Sequence, residues 1–149
     1  MAIDLFFYGT LLDADIRHRV LGRAIPDDRL IPASVADYRR LAVPGRPYPG
    51  AVPDRGATLS GAVLRGVGVR DRARLTRYEG SEYLFRNVMA EFGDGSICQV
   101  GLFVFRRRRG LGGEWDLETW QRVHKPAYLE ALAPGMTAGA IARPNRIQA

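Results

Sequence analysis

Apolar and polar positions fall along this chain in short blocks, each closed by glycine, proline or a charged cluster. Ile3-Asp4-Leu5-Phe6-Phe7-Tyr8, ended by Gly9-Thr10, predicts a buried first strand. A helix to about Leu21 follows, with Ile16, Val20 and Leu21 inward, Gly22 as its stop and Asp13 or Asp15 as its cap. Residues 29–43 alternate loosely through Leu30, Ala33, Val35 and Tyr38 and predict an extended strand. Residues 43–53 are broken by Pro44, Gly45, Pro47, Pro49, Gly50 and Pro53 and predict a rigid loop. Within that loop Tyr48 either faces a ligand or packs the loop onto the core.

The second half continues in the same manner. Residues 58–64 alternate as a strand, and residues 69–78 predict a short helix capped near Asp71. Residues 83–92 and 96–105 predict two strands joined by Gly93-Asp94-Gly95, the strongest hairpin signal in the chain. Residues 116–132 carry Trp120, Val123, His124 and Tyr128 on one helical face, with Pro126 set to kink or split the helix. The order predicts a single α+β domain over residues 1–149 with a small, curled, mostly antiparallel sheet. Its core spans about residues 3–132, and residues 133–149 are expected to form a loosely packed tail.

Composition narrows the function classes. A length of 149 residues suits one domain, and 46% hydrophobic with 26% charged residues is ordinary for a globular protein. No apolar run nears the ~20 residues of a membrane span. The first residues lack the basic and apolar regions of a signal peptide, so no membrane partner is expected. The single cysteine, Cys98, has no partner for an internal disulfide and reads as an inert thiol within a strand, which fits a cytoplasmic setting. The net charge of +6 suggests nucleic acid. Lys125 is the only lysine among the basic residues, however, and the arginines are scattered, apart from the run Arg106-Arg107-Arg108-Arg109 before Gly110. That run reads as a solvated loop, and no nucleic-acid partner is expected. His18 and His124 do not stand at metal-ligand spacing, so no metal is implied. No feature of the sequence sets an oligomeric state.

Two stretches carry candidate chemistry. In Leu75-Thr76-Arg77-Tyr78-Glu79-Gly80, Leu75 and Tyr78 share a helical face and Gly80 stands where a left-handed cap would go. Glu79 then lies at a helix C-terminus, where the macrodipole raises a carboxyl pKa while Arg74 and Arg77 oppose it. Such a residue serves as a general acid/base if a pocket covers it, and is a solvated surface residue if none does. Around Gly9, a strand, a glycine turn and a helix start make an anion-binding corner of open backbone amides.

These stretches resemble a known family. Tyr8-Gly9-Thr10-Leu11 is similar to a substrate-binding Tyr-Gly-(Thr/Ser)-Leu loop. Leu75 to Gly80, followed by Tyr83 and Arg86, is similar to a Leu-Asp-x-(Tyr/Phe)-Glu-Gly…Tyr-x-Arg segment. Tyr48-Pro49, the Gly61 strand and the Asp94-Gly95 hairpin fall between or after them in the expected order. The family is the γ-glutamylcyclotransferase-like superfamily, in its AIG2-like and γ-glutamylamine cyclotransferase branch. Thr76 replaces the Asp of that segment, and one extra residue separates Tyr83 from Arg86, so Arg86 receives no role. The resemblance implies a small β-barrel flanked by short helices. It implies cyclisation of a γ-glutamyl amine or peptide to 5-oxoproline, with Glu79 as general acid/base and no metal or cofactor. Tyr8, Gly9, Thr10, Leu11, Tyr48 and Tyr83 are the implied substrate-binding residues, with Glu82 as a rival carboxylate. The alternatives are a non-catalytic module of the same fold that binds a small carboxylated metabolite and, more weakly, a basic nucleic-acid-binding protein.

Overall fold

The structure is a computed structural model, and it describes residues 2–141. Five strands close a barrel in the order β1 (Ile3–Phe7), β3 (Pro49–Val67), β2 (Leu30–Ala42), β4 (Tyr83–Phe92) and β5 (Ile97–Phe105). Every neighbouring pair is antiparallel except the seam, where β1 runs parallel to β5 at Leu5 and Gly101. The expected α+β barrel with short helices is what forms. Closure leaves no free sheet edge, so a chain of this length satisfies its backbone without a second sheet.

Alternation along the strands builds two cores. Phe6 and Tyr8 join Val35, Leu59, Val63, Leu102 and other residues from every strand in one cluster. Leu5 and Phe7, on the opposite face of β1, pack beneath the helices with Ile16, Leu75, Trp120 and Tyr128. β1 is covered on both faces, which is why it reads as a continuous apolar block.

The helices are α1 (Ala14–Leu21), α2 (Val69–Glu79), α3 (Leu117–Val123), α4 (Lys125–Ala131) and α5 (Ala138–Ile141). Of the two candidate caps for α1, Asp13 takes the place: its Oδ1 accepts from the amides of Asp15 at 2.9 Å and Ile16 at 3.1 Å. Gly22 stops the helix in the left-handed region at φ 76°. The expected 116–132 helix splits into α3 and α4 at His124, with Pro126 in the first turn of α4, where its missing N–H costs nothing.

Two expectations are corrected, and a third falls only partly within the described residues. The rigid loop expected over 43–53 ends at Tyr48, because Pro49 opens a 19-residue strand that also takes in residues 58–64. Pro49 sits at the strand start opposite Ala42, and Pro53 faces Tyr38 beside the bulge at Asp37; these are the places where a strand tolerates a missing N–H. The α2 cap is Gly68, while Asp71 lies one turn in and pairs with Arg23. Lastly, the stretch expected as a loose tail is described as far as residue 141. There Ala138 is buried, and Thr137 Oγ1 donates to the Arg77 carbonyl at 3.0 Å. Residues 142–149 lie outside the described residues.

Candidate active site

The end of β1, the start of β3, the start of β4 and the C-terminus of α2 meet around one narrow, partly enclosed cavity. Tyr8, Gly9, Thr10 and Leu11 form one wall, Tyr48, Pro49 and Tyr83 another, and Tyr78 with Glu79 a third. The structure therefore gathers the candidate residues Tyr8 to Leu11, Tyr48, Glu79 and Tyr83 at a single place. The cavity is tight, with a free volume of about 20 Å³, roughly the room of one water. Ala138 of the short helix α5 closes one side.

The backbone after β1 is set by its carbonyls. Thr10–Leu12 form a single 3-10 turn in which the Leu12 and Asp13 amides donate to the Gly9 and Thr10 carbonyls, each at 3.0 Å. The amides of Thr10 and Leu11, at the open end of that turn, have no partner within it. The fully buried Arg17 holds the Leu11 and Leu12 carbonyls at 3.1 and 2.8 Å. Arg40 reaches the Tyr8 carbonyl at 3.2 Å. A carbonyl held one way turns the following N–H the other way. Gly9 lets the turn lie close to β3: a Cβ here would stand 3.0 Å from Cγ of Pro49, which would have to give by a few tenths of an ångström.

The phenols divide by task. Tyr8 Oη donates to the Phe103 carbonyl at 2.6 Å and accepts from the Ala51 amide at 3.1 Å, tying β1 to β5 and β3. Tyr83 Oη donates to the Pro49 carbonyl at 2.6 Å. Both phenol protons are spent on the scaffold, so neither hydroxyl has a proton to donate to a ligand. Tyr48 Oη donates to Glu82 Oε1 at 2.6 Å. Tyr78 Oη stands 2.7 Å from Thr10 Oγ1 and bonds the Tyr128 hydroxyl, a chain joining α2, the 3-10 turn and α4. Burial, joined by the nearby Glu79 charge, holds the Tyr8, Tyr78 and Tyr83 phenols protonated well above their usual range.

Glu79 is different. α2 ends at Gly80, whose φ of 80° turns the chain sharply and whose N–H donates to the Thr76 carbonyl at 3.0 Å. That turn leaves the last helical side chain facing the cavity. Loss of water raises the Glu79 carboxyl to about pH 8, and no charge or hydrogen bond from a described residue offsets the rise. Burial, not the helix dipole expected from sequence, is the cause. Arg74 is turned toward α1, donating to the Leu21 carbonyl at 2.7 Å. Glu79 is thus the only carboxyl group among the described residues lining the cavity, and no basic side chain lines it. The rival Glu82 is held by Tyr48 and, at 3.4 Å, by Arg46 Nη2.

Sequence reasoning missed Tyr78, Tyr128 and Ala138. Tyr78 was read as packing for Leu75, and its position directly before Glu79 was the available signal. No local signal places Tyr128, 50 residues away, against Tyr78. Among the described residues no group of His, Cys, Asp and Glu side chains is arranged to hold a metal. No helix of those residues is long and apolar enough to cross a membrane.

Fold and cavity together define a small closed-barrel protein with one desolvated carboxyl group in a narrow cavity at the end of the barrel. The family model for gamma-glutamyl cyclotransferase, AIG2-like, matches residues 5–122, and the chain belongs to that family. AIG2-like protein C of Arabidopsis thaliana is 32% identical over 133 residues, covering 87% of this chain and 76% of that protein. AIG2-like protein B of the same plant is 29% identical over 132 residues, covering 87% and 75%. A solution structure of an Arabidopsis thaliana protein matches with a TM-score of 0.66 at 29% identity, covering 86% of each chain. A solved gamma-glutamyl cyclotransferase matches with a TM-score of 0.62 over 90% of this chain and 89% of that one. At 13% identity that last likeness is one of fold alone.

Proposed function

We propose that this protein cyclises a γ-glutamyl amine or γ-glutamyl peptide to 5-oxoproline and releases the amine. Glu79 is the observation that carries the reading: a carboxyl group with a pKa of about 8, alone in a cavity of phenols and backbone. A terminal α-amino group titrates at roughly 7.7–8.0. Proton exchange between the substrate's α-ammonium and Glu79 is therefore close to thermoneutral, which suits general acid/base work.

Ionised Glu79 takes a proton from the α-ammonium and exposes the nitrogen lone pair. That nitrogen attacks the γ-carbonyl carbon, forming the ring C–N bond and placing negative charge on the carbonyl oxygen. Glu79 gives its proton to the departing nitrogen and takes a second one from the ring nitrogen. The oxyanion re-forms the carbonyl as the bond to the departing nitrogen breaks, and the released amine takes the second proton, leaving Glu79 ionised as it began. The amides of Gly9, Thr10 and Leu11 are the donors available to the developing oxyanion or to the substrate carboxylate. Nucleophile and electrophile belong to one molecule, so orientation supplies much of the acceleration.

The test is release of 5-oxoproline from a panel of γ-glutamyl amines, γ-glutamyl amino acids and glutathione, by wild type and Glu79→Gln. Turnover by the wild type alone supports the reading. Equal rates in both proteins remove Glu79 from it. Binding without turnover by either protein would instead make the chain a recognition module for a small carboxylated metabolite.

A further inference from the structure

Tyr78 directly precedes Glu79, and its hydroxyl is the middle member of a row of three. Its Oη stands 2.7 Å from Thr10 Oγ1 and also bonds the hydroxyl of Tyr128. Thr10 and Tyr78 line the cavity, whereas Tyr128 reaches Tyr78 from α4. All three residues are buried. Among the described residues these hydroxyls bond one another and no other group.

The proton count gives the row a direction. Three hydroxyls carry three protons, and the two bonds between them use two. The third is left over at one end, on Thr10 or on Tyr128. A phenol is a far stronger acid than an aliphatic alcohol, so the phenol is the better donor and the alcohol the better acceptor. Tyr78 therefore donates to Thr10, and Tyr128 donates to Tyr78. The spare proton belongs to Thr10, the end that lines the cavity. Burial keeps both phenols protonated well above their usual range, so the row does not lose its protons.

The far end is firmly held. Lys125 Nζ bridges α4 to Asp13 Oδ2 at 2.9 Å, and Arg19 Nη1 donates to the Leu129 and Leu132 carbonyls at 3.1 and 2.8 Å. The Trp120 ring packs edge-on against Tyr128, with centroids 5.4 Å apart. The row is thus set before a ligand arrives, which is what a donor to a transient charge requires. No basic side chain among the described residues lines the cavity, so negative charge developing there is met by neutral donors.

Resting on the proposed reaction, we infer that Tyr78 and Tyr128 are positioning residues whose hydroxyls leave the Thr10 hydroxyl proton for the oxyanion formed on the γ-carbonyl carbon. Thr10 then serves the reaction through its side chain as well as its backbone. Each donation along the row polarises the next, so this hydroxyl is a stronger donor than a lone alcohol.

The test measures kcat and KM on whichever compound of the panel the wild type turns over fastest. Thr10→Val is expected to lower kcat by about 10²-fold, the size of one oxyanion donor, with little change in KM. Thr10→Ser keeps most of the wild-type rate. Tyr128→Phe lowers kcat by about two- to fourfold, since it removes polarisation and not the donor. It costs nothing further beside Tyr78→Phe, which has already cut the row, whereas a packing role would give it the same cost in both backgrounds. Wild-type kcat in Thr10→Val, a loss in Thr10→Ser as deep as in Thr10→Val, or equal costs of Tyr128→Phe in both backgrounds overturns the inference. If the wild type turns over no compound, the cyclisation reading fails by itself. The donor is then read in the calorimetric Kd of 5-oxoproline, whose ring carbonyl takes the place of the oxyanion. A weakening of about three- to tenfold in Thr10→Val, recovered in Thr10→Ser, supports the hydroxyl row. Equal affinity, or no binding by the wild type, overturns it.

Discussion

Glu79 and Glu82 stand three residues apart on the same turn, and only Glu82 has its carboxylate held by protein donors. Tyr48 at 2.6 Å and Arg46 at 3.4 Å take that charge, whereas Glu79 is desolvated without any such partner. The first is built to stay in place and the second to exchange a proton.

Glu79→Gln is expected to lower 5-oxoproline release by about 10²–10⁴-fold, the usual contribution of a general acid/base, with the fold intact by circular dichroism. Glu82→Gln keeps the acid/base and only weakens the anchor of Tyr48, whose hydroxyl can still donate to the amide oxygen, so its loss is smaller. In the wild type kcat/KM rises with pH toward a limb near 8, the pKa of Glu79 in the free protein. A limb near 4.5 would show that the carboxyl is solvated when substrate arrives.

The same pKa has a consequence for stability. The folded protein holds the Glu79 proton up to about pH 8, while the unfolded chain gives it up near 4.5. The folded state binds more protons between those values, so stability falls as pH rises from 4.5 to 8 and levels off above. Glu79→Gln removes this cost. It should match wild type at pH 4 and exceed it at pH 9, by an amount of the order of a few kcal/mol. Parallel denaturation curves of the two proteins at both pH values would refute the desolvated, unpaired carboxyl.

Tyr8→Phe deletes one oxygen and strands the Ala51 N–H and the Phe103 carbonyl inside the barrel. A loss of about 1–3 kcal/mol in urea unfolding is expected. No loss would mean that the phenol serves the ligand and not the scaffold.

Gly80→Ala meets two obstacles. Its φ is +80°, and a Cβ would stand 2.5 Å from Cγ2 of Thr137. It should cost about 1–3 kcal/mol from backbone strain alone and loosen α5 over the cavity, seen as faster hydrogen exchange at residues 137–141. Gly93→Ala, with open space around it and no positive φ, serves as the neutral comparison.

Much of this architecture was legible in the chain. The apolar block 3–8, the Asp94-Gly95 hairpin and the Glu79-Gly80 stop each follow from local rules: alternation, turn chemistry and a glycine free to take positive φ. At ψ −172°, however, Gly80 does not form the left-handed helical cap expected. The prolines of 43–53 misled, because a proline breaks a strand only where its missing N–H is needed, and only pairing shows where that is. The cause of the Glu79 shift was misread for a similar reason. A helix end is visible in sequence, but the water stripped from a carboxyl by β1, β3 and α5 is not.

By itself the sequence determined the kind of fold, the order of its elements, and the pair of motifs that places the chain in its family. These rest on interactions between near neighbours and on residue pattern. Only the tertiary structure decided that Tyr78 meets Thr10 and Tyr128, and that Glu82 is claimed by Tyr48 while Glu79 is left alone. Each of those depends on groups far apart in the chain being brought together by barrel closure, and on the loss of water that closure imposes.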